Sequence, residues 1–151
     1  MQRPRKFALP QFLQDRLDQV TYERWLHRKA QAHVKRDRKR GMLGVTGATY
    51  RSAIHHAVVV SEGRDSYTSE ELYWELVSQY RNEDSELGRH AYKLDFALLP
   101  TVDHVQASSQ EASFRICSWR TNDTKNDLSV EEFVAICRRV VEHAANFGIQ
   151  E

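Results

Sequence analysis

Along most of this chain apolar residues recur every three or four positions, but one stretch breaks the rule. It opens with an apolar run, Phe96-Ala-Leu-Leu-Pro-Thr-Val-Asp-His-Val105, and closes with an alternating one, Phe114-Arg-Ile-Cys-Ser-Trp119. Side chains alternate across a strand and repeat near 3.6 in a helix, so the change of period predicts a β-hairpin late in a helical chain. Pro100 has no amide proton and confines the first strand to an edge or a bend. The expected class is α+β: a mostly helical single domain with a C-terminal hairpin-helix core. Residues 1–95 form its helical region and 96–151 its hairpin and last helix, in one compact unit, since 151 residues support a single modest core.

The helices follow from spacing and punctuation. A short helix is expected from Phe12 to Val20. Thr21 is placed to cap a longer one reaching about Arg40, with a thin apolar face of Tyr22, Trp25, Leu26, Ala30 and Val34. A second runs from about Ala48 to Val60, burying Tyr50, Ile54, Ala57 and Val58, and Gly63 stops it. Thr68-x-x-Glu71 has the form of a capping box and predicts a third helix with Leu72, Leu76, Val77 and Tyr80 inward. Residues 81–93 are polar and carry no clear period. Ser129-x-x-Glu132 is a second capping box, opening a helix expected to bury Phe133, Cys137, Val140 and Ala144 and to end at Gly148.

Charge is unevenly shared. Residues 1–50 carry 12 basic and 4 acidic side chains, residues 51–151 carry 10 and 17. Seven cations, Arg28, Lys29, Lys35, Arg36, Arg38, Lys39 and Arg40, fall within thirteen residues of the long helix, more than complementing its dipole requires. Such a block is either a solvated helix face or a phosphate-binding one. His27 and His33 are assigned to the same basic face. Two cysteines, Cys117 and Cys137, exclude a disulfide-rich scaffold and a four-cysteine zinc site. No window approaches 18 consecutive apolar residues, so no membrane partner is expected. The stretch MQRPRKFALPQF has cations without the apolar core of a signal peptide, and the cytoplasm is the expected location.

Chemistry concentrates between residues 102 and 127. Asp103-His104 ends the first strand and sets a hard oxygen donor beside an imidazole. Beyond the second strand, a short helix delivers Asn122, with Lys125 and Asn126 at i+3 and i+4 on the same face. A carboxylate and an amide oxygen suit Mg²⁺ or Mn²⁺, and an imidazole accepts a proton near neutral pH. Adjacent strand residues point to opposite faces, so for Asp103 and His104 to share a site the strand must end or kink at Asp103.

Asp103-His104 with Asn122-x-x-Lys125-x-Asp127 resembles the HNH family of nucleases, whose core is a β-hairpin and a helix around one divalent metal. The resemblance covers roughly residues 96–137. It implies Asp103 and Asn122 as metal ligands, His104 as general base, and Lys125 as a further catalytic residue reaching phosphate. Two features depart from the family. Its middle Asn, which braces the catalytic His, is absent from Glu111-Ala-Ser-Phe114, leaving Ser113 or Ser109 as weaker substitutes. Many relatives also hold a structural zinc on two Cys-x-x-Cys pairs; here Cys117 stands alone, position 120 is Arg, and no structural zinc is expected. Gly63-Arg-Asp-Ser-Tyr67-Thr68 is similar to the turn where the second pair would sit.

The expectation is a Mg²⁺- or Mn²⁺-dependent endonuclease hydrolysing nucleic acid, DNA before RNA, as a monomer, homodimer or larger complex. Arg28, Lys29, Lys35, Arg36, Arg38, Lys39, Arg40 and Arg120 are its candidate backbone contacts. Three alternatives stand beside it: a nucleic-acid-binding module with a vestigial site, an RNA-cleaving toxin on the same scaffold, and a helical adaptor meeting an acidic protein.

Overall fold

A computed structural model of the chain describes residues 3–105 and 112–148. The long helix α1 is Gln19–Lys39 and α2 is Gly47–Ser61. After a single-turn 3₁₀ segment at Trp74–Ser78 come α3, Asn82–Asp95, then strands β1, Pro100–His104, and β2, Phe114–Ser118. Helix α4, Trp119–Lys125, follows β2 without a loop, and α5 is Val130–Asn146. The fold is thus mixed α+β, mostly helical, with one two-stranded antiparallel sheet.

Helix α1 begins where its cap is best. Asp18, rather than Thr21, is the N-cap, its carboxylate accepting from Thr21 N at 2.9 Å and Thr21 Oγ1 at 2.6 Å. The preceding residues make only a 3₁₀ turn, Gln11–Leu13, in place of the helix expected to Val20. The buried stripe of α1 is Tyr22, Trp25, Leu26, Ala30 and Val34, as its spacing predicts, but it continues with two polar residues, His33 and Asp37. Helix α2 packs against α1 and lies on β2, burying Tyr50, Ile54, Ala57 and Val58. Trp25 meets Trp74 edge-on at 5.3 Å, and one core cluster joins residues from Leu13 to Val77 with Leu99, Val102, Phe114 and Ile116.

The Thr68–Glu71 capping box does not open a helix. Asp65 captures this segment instead: its carboxylate accepts from Tyr67 N at 2.8 Å and Thr68 N at 3.2 Å, closing a tight loop. The same carboxylate accepts from Ser118 N and from Thr121 Oγ1, both at 2.8 Å, tying the loop to the junction of β2 and α4. Gly63 enters the loop at φ +85°, where a Cβ would press on Phe12 and Trp74, and its carbonyl accepts from Trp74 Nε1.

Three further expectations change. The first strand is only Pro100–His104, because Phe96–Leu99 turns to accept hydrogen bonds from Trp119 N and Arg120 N. Polar residues 82–95, which carry no clear period in sequence, form α3, two short helical pieces joined at Arg89, whose φ of +48° breaks the helix; Tyr92 stacks on Phe96, and Leu87 and Leu94 face solvent. Helix α5 has the predicted capping box, with both reciprocal bonds made, yet buries none of its residues; Cys137 and Val140 are exposed. Its apolar face points away from the core, apart from Phe133, which meets the edge of Tyr67 at 6.0 Å.

Asp65→Ala strands four donors, two of them in the buried β2–α4 junction. Loss of about 3 kcal/mol of stability is expected, read as a lower urea midpoint.

Candidate functional site

Strands β1 and β2 pair in register, Asp103 opposite Arg115 and His104 opposite Phe114. The kink expected at Asp103 is absent: His104 is still a paired strand residue, and the two side chains leave the hairpin on opposite faces. They nonetheless border one cleft of about 1500 Å³, at the end of the hairpin where the chain passes from β1 towards β2. On the His104 side the cleft is bounded by Arg36 and Arg40 from the last turns of α1. On the Asp103 side it is bounded by Arg115, by Asn122, Lys125 and Asn126 of α4, and by the first turn of α5.

Asp103 is buried and fully engaged. Tyr67 Oη donates to its Oδ2 at 2.5 Å, and Lys125 Nζ lies 3.2 Å from Oδ2 and 3.4 Å from Oδ1. Lys125 is itself buried and donates to Leu128 O at 2.5 Å, so the ion pair closes the α4–α5 turn. Burial pushes the Tyr67 hydroxyl well above its usual range, and the Asp103 charge adds to the shift, so Tyr67 remains a donor.

The imidazole of His104 stacks on Phe114 at 4.9 Å, with His33 and Tyr50 edge-on at 6.0 and 6.4 Å. Its Nδ1 lies 3.6 Å from Asp37 Oδ2, beyond direct hydrogen bonding, and that carboxylate oxygen accepts from Tyr50 Oη. Neither ring nitrogen of His104 has a hydrogen-bond partner among the described residues. Burial lowers its pKa, partly opposed by Asp37 and Asp103, so the ring is neutral at pH 7. Neighbouring His33 is buried rather than on the basic face, and burial lowers its pKa to about 4, with Arg36 contributing.

The cationic residues divide. Arg36 and Arg40 meet the cleft, and Arg40 Nη2 lies 4.0 Å from Asp127 Oδ1 at its rim. Arg28, Lys35 and Lys39 are exposed away from it. Arg38 donates to Val45 O at 2.9 Å and fixes the loop after α1. Lys29 turns inward to Thr101 Oγ1 at 3.1 Å, and burial lowers its pKa to about 8; it is a structural residue, not a free phosphate contact. Arg120 pairs with Glu70 and is not in the cleft. Ser113 is exposed, its carbonyl accepting from Val105 N, and Ser109 lies outside the described residues.

Asp103 and Asn122 both line the cleft, and a carboxylate and an amide oxygen are donors of the kind Mg²⁺ or Mn²⁺ takes, but both oxygens of Asp103 are engaged by Tyr67 and Lys125. Among the described residues no cluster of three or more His, Cys, Asp and Glu is arranged for a metal; a carboxylate with an amide is a smaller set than that. An ion on Asp103 would take the place of the Lys125 ammonium.

No protein-family model, curated protein or solved structure matches this chain. Its own residues define the site. Three of them carry no sequence signal of their own: Asp37, Tyr67 and Arg115. Asp37 is the most legible in hindsight, the one acid between Lys35 and Arg40 and four residues after His33, hence on the same helix face. Within the described residues no helix is long and apolar enough to cross a membrane.

His33 gives a pH signature. A buried histidine whose pKa falls from 6.5 to about 4 is stabilising above the unfolded value, and that contribution is lost as pH falls through the window between the two. Stability is expected to decline by up to about 3 kcal/mol between pH 6.5 and 4, and His33→Leu to flatten that slope in denaturant titrations.

Proposed function

We propose that the chain is a metal-dependent endonuclease of the HNH type, hydrolysing phosphodiester bonds of nucleic acid, with DNA as substrate. One observation carries this reading: Asp103, His104, Asn122 and Lys125 border a single cleft, and Arg36 and Arg40 of the cationic helix border it too. The hairpin β1–β2 running straight into α4 matches the order of elements that the sequence resemblance implies.

In this reading the arginines at the end of α1 receive the phosphate backbone, a sequence-independent contact weakened by salt. His104 is the base of this reading; its Nε2, buried and unpartnered here, would have to be uncovered in the loaded site to take a proton from water attacking phosphorus. Asp37, held by Tyr50, is the carboxylate nearest the imidazole, and a small shift of either group would let it take the bracing role the family gives its middle Asn. Asp103 and Asn122 would hold Mg²⁺ or Mn²⁺, an ion that when bound would supply positive charge against the charge that builds on the phosphate oxygens. Lys125, released from Asp103 in the loaded site, is free to turn to a phosphate oxygen.

Supercoiled plasmid incubated with Mg²⁺ is expected to be nicked by the wild type and at least a hundredfold more slowly by His104→Ala, with unchanged circular dichroism. Undiminished cutting by that variant rejects the base assignment. Asn122→Ala should raise the Mg²⁺ concentration needed for half-maximal cutting. Arg36→Ala and Arg40→Ala should each reduce the salt slope of DNA binding by about one.

The buried Asp103–Lys125 pair favours a second reading, a nucleic-acid-binding module whose acidic residue serves only the fold. Calorimetry with Mn²⁺ separates the two: no heat, together with intact DNA binding, selects the module.

A further inference from the structure

Helix α5 is the most amphipathic of the long helices and, like α3, buries none of its residues. Its 17 residues extend about 25 Å, fastened at the first turn by the capping box and by Phe133 against Tyr67. Beyond that turn, Val134, Ile136, Val140 and Val141 are 44–61% exposed. Four β-branched side chains are poor residues for an isolated helix in water, because their χ1 freedom is lost against the preceding turn. Lone helices of this length are already marginal. The helix therefore needs a cover.

The sequence of the helix indicates which cover. From Val130 to Val140 it runs Val-Glu-Glu-Phe-Val-Ala-Ile-Cys-Arg-Arg-Val. Reversed about Ala135, each apolar residue falls on an apolar one, Val130 on Val140, Phe133 on Cys137 and Val134 on Ile136. The acids, Glu131 and Glu132, stand at the N-terminal end of this run and the bases, Arg138 and Arg139, at its C-terminal end. An antiparallel second copy would meet this face with apolar against apolar and opposite charges at the rim. Glu131 and Arg138 are seven residues apart and so share one flank of the stripe. In an antiparallel pair that flank meets its own copy, giving Glu131–Arg138 contacts twice by symmetry. A parallel pairing would bring like charges level.

We propose that α5 is a homodimer interface, in which two copies pair antiparallel about a two-fold axis near Ala135. The interface is independent of the catalytic reading. Because its first turn borders the cleft, the pairing also fixes the direction in which two clefts face.

Sedimentation equilibrium or light scattering of the full chain is expected to give twice the 17.7 kDa chain mass. Val141→Glu should yield a folded monomer, checked by circular dichroism. Glu131→Arg and Arg138→Glu should each raise the dimer dissociation constant roughly tenfold or more, since each sets like charges face to face at two places. The double variant, Glu131→Arg with Arg138→Glu, restores opposite charges only across an antiparallel axis and should recover wild-type affinity. A wild type that stays monomeric at its highest soluble concentration overturns the proposal and assigns the face to another partner. A dimer indifferent to Val141→Glu, or one the double variant fails to rescue, overturns it as well.

Discussion

A single buried carboxylate, Asp65, holds together parts of the chain more than fifty residues apart. It accepts from two backbone amides of its own loop, from Ser118 N at the end of β2 and from Thr121 Oγ1 in α4. Burial raises the pKa of Asp65, but four donors outweigh burial and hold its carboxyl below the ordinary range, so it is charged at neutral pH. The consequences run downstream. The loop sets Tyr67 against Asp103 and Phe133; α4 brings Asn122 and Lys125 to the hairpin. Hydrogen bonds to this one anion join the loop to the β2–α4 junction.

The two halves of the cleft differ in electrostatic character. Asp103 is satisfied: Lys125 pairs with the carboxylate and Tyr67 donates to it in a buried, hydrogen-bonded arrangement. Removing one member of such a pair is costly, which makes it a rigid element whatever else it does. Around His104 the groups are underused. His33 Nδ1, Asp37 Oδ1 and both nitrogens of His104 are buried without hydrogen bonds among the described residues. Desolvated polar groups left unsatisfied are a burden to the fold, and they gather at the face of the hairpin that meets the cationic helix.

Sequence patterning made some of this legible and some not, for physical reasons. The stripes of α1 and α2, the hairpin and the Ser129 capping box follow from local periodicity and local hydrogen bonding, and the structure has them. The Thr68–Glu71 box misleads because Asp65, three residues earlier, offers the same amides a competing acceptor. Helix α3 is not legible as one helix because its backbone leaves helical geometry at Arg89, so no single period runs through 82–95. Helix α5 shows the limit most clearly: its amphipathic pattern is real, but a pattern reveals a face to be covered without naming the surface that covers it. Burial of Lys29 and His33 is also unreadable from charge, since both depend on how α1 rolls against β1 and β2. Of the candidate site, the order Asp103, His104, Asn122 and Lys125 is visible in sequence, whereas Asp37 and Tyr67 come from elements outside the motif.

Helix α1 links the aromatic core to the cleft along one continuous backbone. Tyr22, Trp25 and Leu26 fix its rotation at one end, and Arg36 and Arg40 emerge one turn apart at the other, separated by a rise of about 6 Å. The helix thus acts as a ruler and a protractor together. Inserting or deleting a single residue between Ala30 and Asp37 would swing both guanidinium groups about 100° around the axis and carry Asp37 away from His104. Length variation in such a chain is confined to its connecting loops, such as 41–46, while this segment must keep its residue count.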